Sequence, residues 1–169
     1  YARYPQKYTI EYLDHLGNKE QLSLESADVI NDLALVKREV TNDMPYFTIA
    51  DNTPTKGEEL FSLGNPNDLG MIVVPGTYNG LKKNSFNDKI HFTGSVNTGM
   101  SGGPVVNKNA QVVGINVATS GNQIGFLVPH DKLITLFNNY QQHPPESIEQ
   151  QMTAQLTFNQ NKFLNYYEI

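Results

Sequence analysis

Apolar and polar residues alternate over Tyr8–Leu13 (YTIEYL) and again over Gln21–Leu24 (QLSL). That two-residue period belongs to a strand with one buried face. Asp14-His15-Leu16-Gly17-Asn18 lies between them and carries turn chemistry, so the stretch predicts a β-hairpin. Leu33–Val36 (LALV) is nearly continuous in apolar residues, which predicts a strand buried on both faces. In the second half the candidate strands are Glu59–Leu63, Met71–Tyr78, Lys89–Phe92, Pro104–Asn107, Val112–Thr119 and Gly125–Val128. Their connections hold Gly64-Asn65-Pro66, Asn79-Gly80, Asn107–Asn109 and Gly121-Asn122. Short strands at intervals of about 8–12 residues indicate an all-β barrel or sandwich. Helical spacing comes late. Asp131–Tyr140 has Leu133, Ile134, Leu136 and Phe137 on one side, and Pro144-Pro145 stops it. Ser147–Phe158 predicts a second helix, with Ile148, Met152 and Leu156 spaced by four. Residues 41–57 are rich in Asn, Asp, Pro and Gly, which places a boundary between two subdomains there.

Composition narrows the class of protein. Twelve Lys and Arg against 17 Asp and Glu leave a net charge of −5, spread along the chain, which argues against a nucleic-acid or anionic-membrane surface. Hydrophobic residues make 38% of the chain, enough for a packed core. There is no Cys, which removes a disulfide framework, Cys-ligated zinc and a thiol nucleophile. No run approaches the roughly 18 apolar residues of a membrane span. There is no phosphate loop and no His/Asp/Glu spacing for a metal, so no cofactor is expected. The chain opens Tyr-Ala-Arg-Tyr-Pro, without Met or a signal peptide, and reads as an internal piece of a longer product.

Two stretches carry chemistry. Thr98-Gly99-Met100-Ser101-Gly102-Gly103-Pro104 sets a Ser among glycines just before an apolar strand. Nucleophilic acyl transfer needs an exposed hydroxyl on a tight turn, with backbone N–H groups aimed at the developing oxyanion. The Gly99 and Ser101 N–H groups are the candidate donors. A Gly-rich hairpin connection with an incidental Ser reads equally well from this stretch alone. Asn31-Asp32-Leu33-Ala34-Leu35-Val36-Lys37 puts a carboxylate at the start of an apolar strand. Such a group is costly to bury unless paired, and orienting a catalytic imidazole is one way to pair it. An Asp in an ordinary turn is the simpler reading of this stretch by itself.

Five segments taken in order change that balance. D-L-A-L-V-K (residues 32–37), L-G-N-P (63–66), G-M-S-G-G-P (99–104), V-G-I-N (113–116) and G-F-L-V-P (125–129) together resemble the trypsin-like serine peptidases, most closely the bacterial HtrA-like branch. The match runs from about Tyr8 to Leu136. The resemblance implies two antiparallel β-barrels with a cleft between them, and peptide-bond hydrolysis through an acyl-enzyme. It implies that Asp32 is the triad acid, Ser101 the nucleophile, and the N–H groups of Gly99 and Ser101 the oxyanion hole. Asp before Ser agrees with the chymotrypsin chain order. By the same resemblance, Ser95, Val96, Asn97, Thr98, Asn116, Val117 and Ala118 wall the S1 pocket with Gly125 nearby, and Val117, Ala118 and Thr119 pair with substrate as an added strand. Ser95 stands where trypsin holds an acid, so the expected P1 side chain is neutral, apolar and small to medium. Met100 departs from the digestive members, which carry an acid there. It cannot pair with a new N-terminus on zymogen cleavage.

A Ser–Asp pair also needs a base. His15 lies only 17 residues before Asp32, in a turn; His91 sits on a strand, His130 at a helix start and His143 in a connector. The family's catalytic His falls just before Tyr1, with Tyr1-Ala2-Arg3-Tyr4 as the turn that follows it. The first barrel is therefore expected to be incomplete. The expected organisation is residues 1–50 as the remainder of that barrel, 51–129 as the second barrel, and 130–169 as a C-terminal helix and extension. Two functions stay open. One is a serine endopeptidase whose His lies upstream; the other is a trypsin-fold binding or scaffold protein without catalysis. The expected partners are a polypeptide substrate and a segment, from upstream or from another chain, that completes the first barrel. The expected location is secreted or periplasmic. Phe158, Phe163, Leu164, Tyr166, Tyr167 and Ile169 are too apolar for a free tail and should pack on the domain, on a partner or into a further domain.

Overall fold

Asp14 ties the first hairpin shut. Its Oδ1 accepts the N–H groups of Leu16 and Asn18, each at 2.8 Å, and its Oδ2 accepts the Asn18 amide at 2.8 Å. Gly17 takes the left-handed φ of 86° that the turn needs. The flanking strands, β1 (Ile10–Leu13) and β2 (Lys19–Asp28), pair antiparallel from Ile10↔Leu22 to Leu13↔Lys19. This is the hairpin expected from the alternation. The computed structural model describes residues 7–39, 44–66, 70–82, 86–119 and 124–167. The expected turn at Tyr1–Tyr4, residues 67–69 and the Gly121-Asn122 connection lie outside the described residues.

By its contacts the chain divides into two units, residues 1–44 with 135–169, and residues 45–134. In the first, β3 (Leu33–Lys37) pairs with the far edge of β2, and the sheet order is β1-β2-β3. The expectation of a strand buried on both faces is overturned for β3. Leu33 and Leu35 are half-buried, whereas Ala34 and Val36 are exposed. An antiparallel sheet packed on one face only leaves alternate side chains in solvent, so Ala34 and Val36 are exposed despite being apolar.

Two helices follow: α1 (His130–Gln142) and α2 (Ile148–Tyr167). Ser147 caps α2, its hydroxyl accepting Gln150 N–H at 3.3 Å. The second helix runs nine residues beyond the expected Phe158 end, and its inward face differs from the expected one. Ile148 and Met152 are half-buried, but Leu156 is 55% exposed, and Gln151 and Gln155 take the inward turns instead. Phe158, Phe163 and Leu164 are exposed as well, so these three do not sink into the domain as one expectation had it.

The second unit holds a closed barrel. Its strands are β4 (Glu59–Gly64), β5 (Ile72–Leu81), β6 (Ile90–Thr93), β7 (Pro104–Val106), β8 (Val112–Thr119) and β9 (Ile124–Pro129). All six coincide with candidate strands in the sequence, with ends moved by a few residues. The order β4-β5-β6-β9-β8-β7 closes through Phe61↔Val106 and Ser62↔Val105. Closure removes the free edges that β1 and β3 retain. Leu60, Ile90, Phe92, Val105, Val113 and Leu127 fill the interior. The second half of the 41–57 stretch is fastened to this barrel. Ala50 N–H donates to Val112 O at 2.9 Å, and Val112 N–H to Thr48 O at 2.8 Å.

Candidate active site

The segment entering β7 is a pair of linked turns. Met100 N–H donates to Asn97 O at 3.0 Å, and Gly103 N–H donates to Met100 O at 3.0 Å. Gly99 (φ 93°) and Gly102 (φ 85°) supply the left-handed backbone on either side. Met100 between them is wholly buried, while the adjacent Ser101 is exposed. Consecutive residues thus point to opposite sides of the loop: Met100 anchors it and Ser101 presents its hydroxyl. Among the described residues, neither the Gly99 N–H nor the Ser101 N–H has an acceptor within the chain. Two free donors beside an exposed hydroxyl are what an oxyanion-stabilising loop requires.

The L-G-N-P turn explains why Met100 fits. A Cβ on Gly64 would lie 2.8–2.9 Å from Met100 Cγ, Cα and Cβ, and one on Gly103 would lie 2.1 Å from the Leu63 carbonyl oxygen. Leu63-Gly64 and the Ser101 loop therefore interlock backbone to backbone. The two motifs, some 35 residues apart in the chain, are halves of one joint.

Strand β8 supports the loop from the other side. Asn116 O accepts Gly102 N–H at 2.8 Å, and Asn116 N–H donates to Gly103 O at 3.0 Å. The Asn116 side chain is fully buried and turns into the barrel, where it bonds Ser62. Beyond Asn116 the pairing of β8 with β7 has ended at Pro104↔Ile115, while its pairing with β9 continues to Thr119↔Gly125. The backbone of Val117, Ala118 and Thr119 thus borders an edge with no strand on it among the described residues. Ser95 is exposed, as are Asn97 and Thr98. Val96 is buried: it packs on Gly125, where a Cβ would come within 2.8 Å of Val96 Cγ2.

Asp32 belongs to the other unit. It ends the turn before β3 with a left-handed φ of 63°, and it is exposed. It stands at the rim of an open hollow of about 320 Å³ lined by Leu24, Ala27, Val29, Leu33, Ala34 and Met152. The carboxylate that holds this turn together is Asp28. It accepts from the N–H groups of Ile30 and Asn31 at 3.1 and 3.0 Å, and from the Asn31 amide at 2.7 Å.

Four His can be placed. His15 is exposed in the β1–β2 turn, and His143 is exposed after α1. His91 lies half-buried on β6, its ring 6.3 Å from that of Phe126. His130 opens α1, as expected, with a buried Nδ1 that has no partner among the described residues. No cluster of His, Asp and Glu that could hold a metal occurs among the described residues. Sequence reasoning missed Ser62. The signal was available: alternation along β4 puts this polar residue on the same inward face as Leu60 and Gly64.

Comparison with known proteins is consistent across three kinds of match. A family description, the trypsin-like peptidase domain, matches residues 5–115. Serine protease HTRA4 of Mus musculus is 31% identical over 133 residues, which are 73% of this chain and 28% of the relative. A probable periplasmic serine protease do/HhoA-like of Haemophilus influenzae is 30% identical, covering 77% of this chain and 30% of the relative. The chain therefore spans less than a third of the length of these curated relatives. Among solved structures, the serine endoprotease from Yersinia pestis superposes with a TM-score of 0.70 at 28% identity, covering 78% of this chain and 48% of the other. The HtrA-type protease AlgW with decapeptide gives 0.71 at 26% identity, covering 80% and 45%.

Proposed function

The chain belongs to the trypsin-like peptidase family, in its HtrA-like branch, and we propose that it carries the nucleophile and the orienting acid of a serine endopeptidase. The observation that carries this reading is Ser101, exposed on a loop anchored by buried Met100, with the Gly99 N–H and its own N–H free of acceptors among the described residues. In this mechanism a His from outside the chain takes the Ser101 proton as Oγ attacks the peptide carbonyl. Asp32 holds that imidazole in the working tautomer. The Gly99 and Ser101 N–H groups bind the oxyanion. The amine leaves with the proton, and water then releases the acyl group from Ser101 by the same path in reverse.

The substrate is an extended polypeptide. It would add to β8 at Val117–Thr119, where the strand edge is open, with its P1 side chain beside Ser95 and Gly125. The structure of the HtrA-type protease AlgW with decapeptide supports this substrate class. The open sheet β1-β2-β3 supports a further strand-bearing segment as partner, and that segment would bring the base to Asp32. A periplasmic relative supports a secreted or periplasmic location. No helix among the described residues is long and apolar enough to cross a membrane.

The test is to sequence the parent polypeptide upstream of Tyr1 and to treat both parent and chain with a fluorophosphonate probe. A T-x-x-H motif upstream, with labelling of the parent that Ser101→Ala abolishes and no labelling of this chain alone, is the expected result. A parent with no such motif and no labelling would identify a trypsin-fold protein without catalysis.

A further inference from the structure

Ser62 and Asn116 are polar residues sealed in an apolar barrel. Both have no exposed surface, and Leu60, Phe92, Val105, Val113 and Leu127 fill the interior with them. They satisfy each other: the Asn116 amide donates to Ser62 Oγ at 2.9 Å, and the Ser62 hydroxyl lies 3.1 Å from Asn116 Oδ1 as its acceptor. Burying such a pair gains little over two apolar side chains of the same shape, because each bond replaces bonds to water. Stability therefore does not account for the pair.

Its position does. The backbone of Asn116 makes both bonds that hold the Ser101 loop from β8, one to Gly102 and one to Gly103. Asn116 also stands where the β8–β9 register shifts, between Asn116 and Ala118. At such a bulge the ladder alone leaves the local path of the strand loosely determined. A tie from the Asn116 side chain to β4 supplies the missing constraint. The same β4 carries Leu63 and Gly64, which interlock with Met100 and Gly103. One strand thus references both sides of the nucleophile loop.

We propose that Ser62 is a positioning residue for Ser101, acting through the Asn116 side chain. In this role Asn116 contributes backbone to the substrate cleft and spends its amide inside the barrel. The proposal deepens the serine-peptidase reading and rests on it for its catalytic meaning, whereas the tie itself can be measured without catalysis.

The experiment is amide hydrogen exchange on the full chain, following Gly102 and Asn116 against ladder amides of β5 and β6. The variants are Ser62→Ala, Ser62→Thr, the double variant Ser62→Ala/Asn116→Val, and Ile90→Val as a core control. The double variant removes the pair and leaves no polar atom stranded, so it stays folded if Ser62→Ala alone does not. Loss of the tie should speed exchange at Gly102 and Asn116 at least tenfold relative to the ladder amides. Thr should restore the slow exchange, and Ile90→Val should move all sites together. Exchange at Gly102 and Asn116 that changes only in step with the ladder, in both the single and the double variant, would overturn the proposal. In a parent that cleaves peptides, Ser62→Ala should lower kcat with KM held. A parent that cleaves nothing would count against the peptidase reading, while the exchange data would still decide the tie.

Discussion

Gln155 on α2 meets Ala27 on β2 as a neighbouring strand would. Its Nε2 donates to the Ala27 carbonyl at 2.7 Å, and its Oε1 accepts the Val29 N–H at 2.9 Å. A carbonyl and an N–H two residues apart, bound by one amide, is the pattern of a parallel ladder. Gln151 adds to it, accepting Ala27 N–H at 2.9 Å and donating to Ser26 Oγ at 2.8 Å. Strand β1 pairs with β2 only as far as Leu22, so this stretch of the β2 edge would otherwise lie open. The two glutamines cap it with side-chain amides.

Replacing Gln155 by Ala should therefore cost more than an ordinary surface substitution. It leaves the Ala27 carbonyl and the Val29 N–H unbonded in a partly buried place, a loss of about 1–3 kcal/mol. Urea unfolding should show it, together with faster exchange of the Val29 amide. A variant as stable as the parent chain, with Val29 still protected, would show that the cap contributes nothing.

Gly64→Ala should disturb the Ser101 loop, although residue 64 is far from it in sequence. The added methyl meets Met100 atoms at 2.8–2.9 Å, so loop or strand must shift. Overpacking of this kind costs about 1–3 kcal/mol. Shortening the opposing side chain in Gly64→Ala/Met100→Ala should recover little, because the Met100 backbone is also in contact and a cavity is left. Thermal unfolding of the single and double variants checks this. A single variant that melts with the parent chain would mean that the joint has slack.

Specificity should follow the neutral surroundings of Ser95. A set of peptides differing only at P1, offered to a cleaving parent, should favour small to medium apolar residues. Preferred cleavage after Arg, Lys or Glu would contradict it.

Acid should weaken the first unit. The Arg38 guanidinium, paired with Glu20, holds the Glu20 carboxyl below its usual range, and the Ser23 hydroxyl, then the Tyr140 hydroxyl, do the same for Glu25. A carboxylate whose folded pKa is depressed contributes stability that is present above its unfolded pKa and is lost as pH falls through the folded one. Stability should thus fall below the ordinary glutamate range. Glu20→Gln and Glu25→Gln should each flatten that part of the curve of stability against pH. An unchanged slope in both variants would remove these pairs from the acid response.

Much of the second unit was legible in the sequence because its strands are short apolar stretches set between turn residues. All six barrel strands could be placed that way, and the glycines around Ser101 announced a tight, exposed turn. Strand β3 was misread for the same reason. Its run of Leu33, Ala34, Leu35 and Val36 carries no alternation, and only what packs on each face of the sheet decides which of these side chains are covered. The inward face of α2 was misread because burial there is driven by hydrogen bonds from Gln151 and Gln155, which a pattern of apolar residues does not show.

The sequence by itself determined the strand segments, the glycine turns around Ser101 and the family they point to. The tertiary structure alone decided which polar groups meet. Ser62 and Asn116 are 54 residues apart, and Gln155 and Ala27 are 128 apart. Local periodicity states how a residue is turned, but not what stands opposite. That depends on barrel closure and on where a helix lies against a sheet. The Ser101 loop shows the difference: its shape was written in its glycines, and its anchorage in Gly64, Ser62 and Asn116 was settled only when β4 and β8 came together around it.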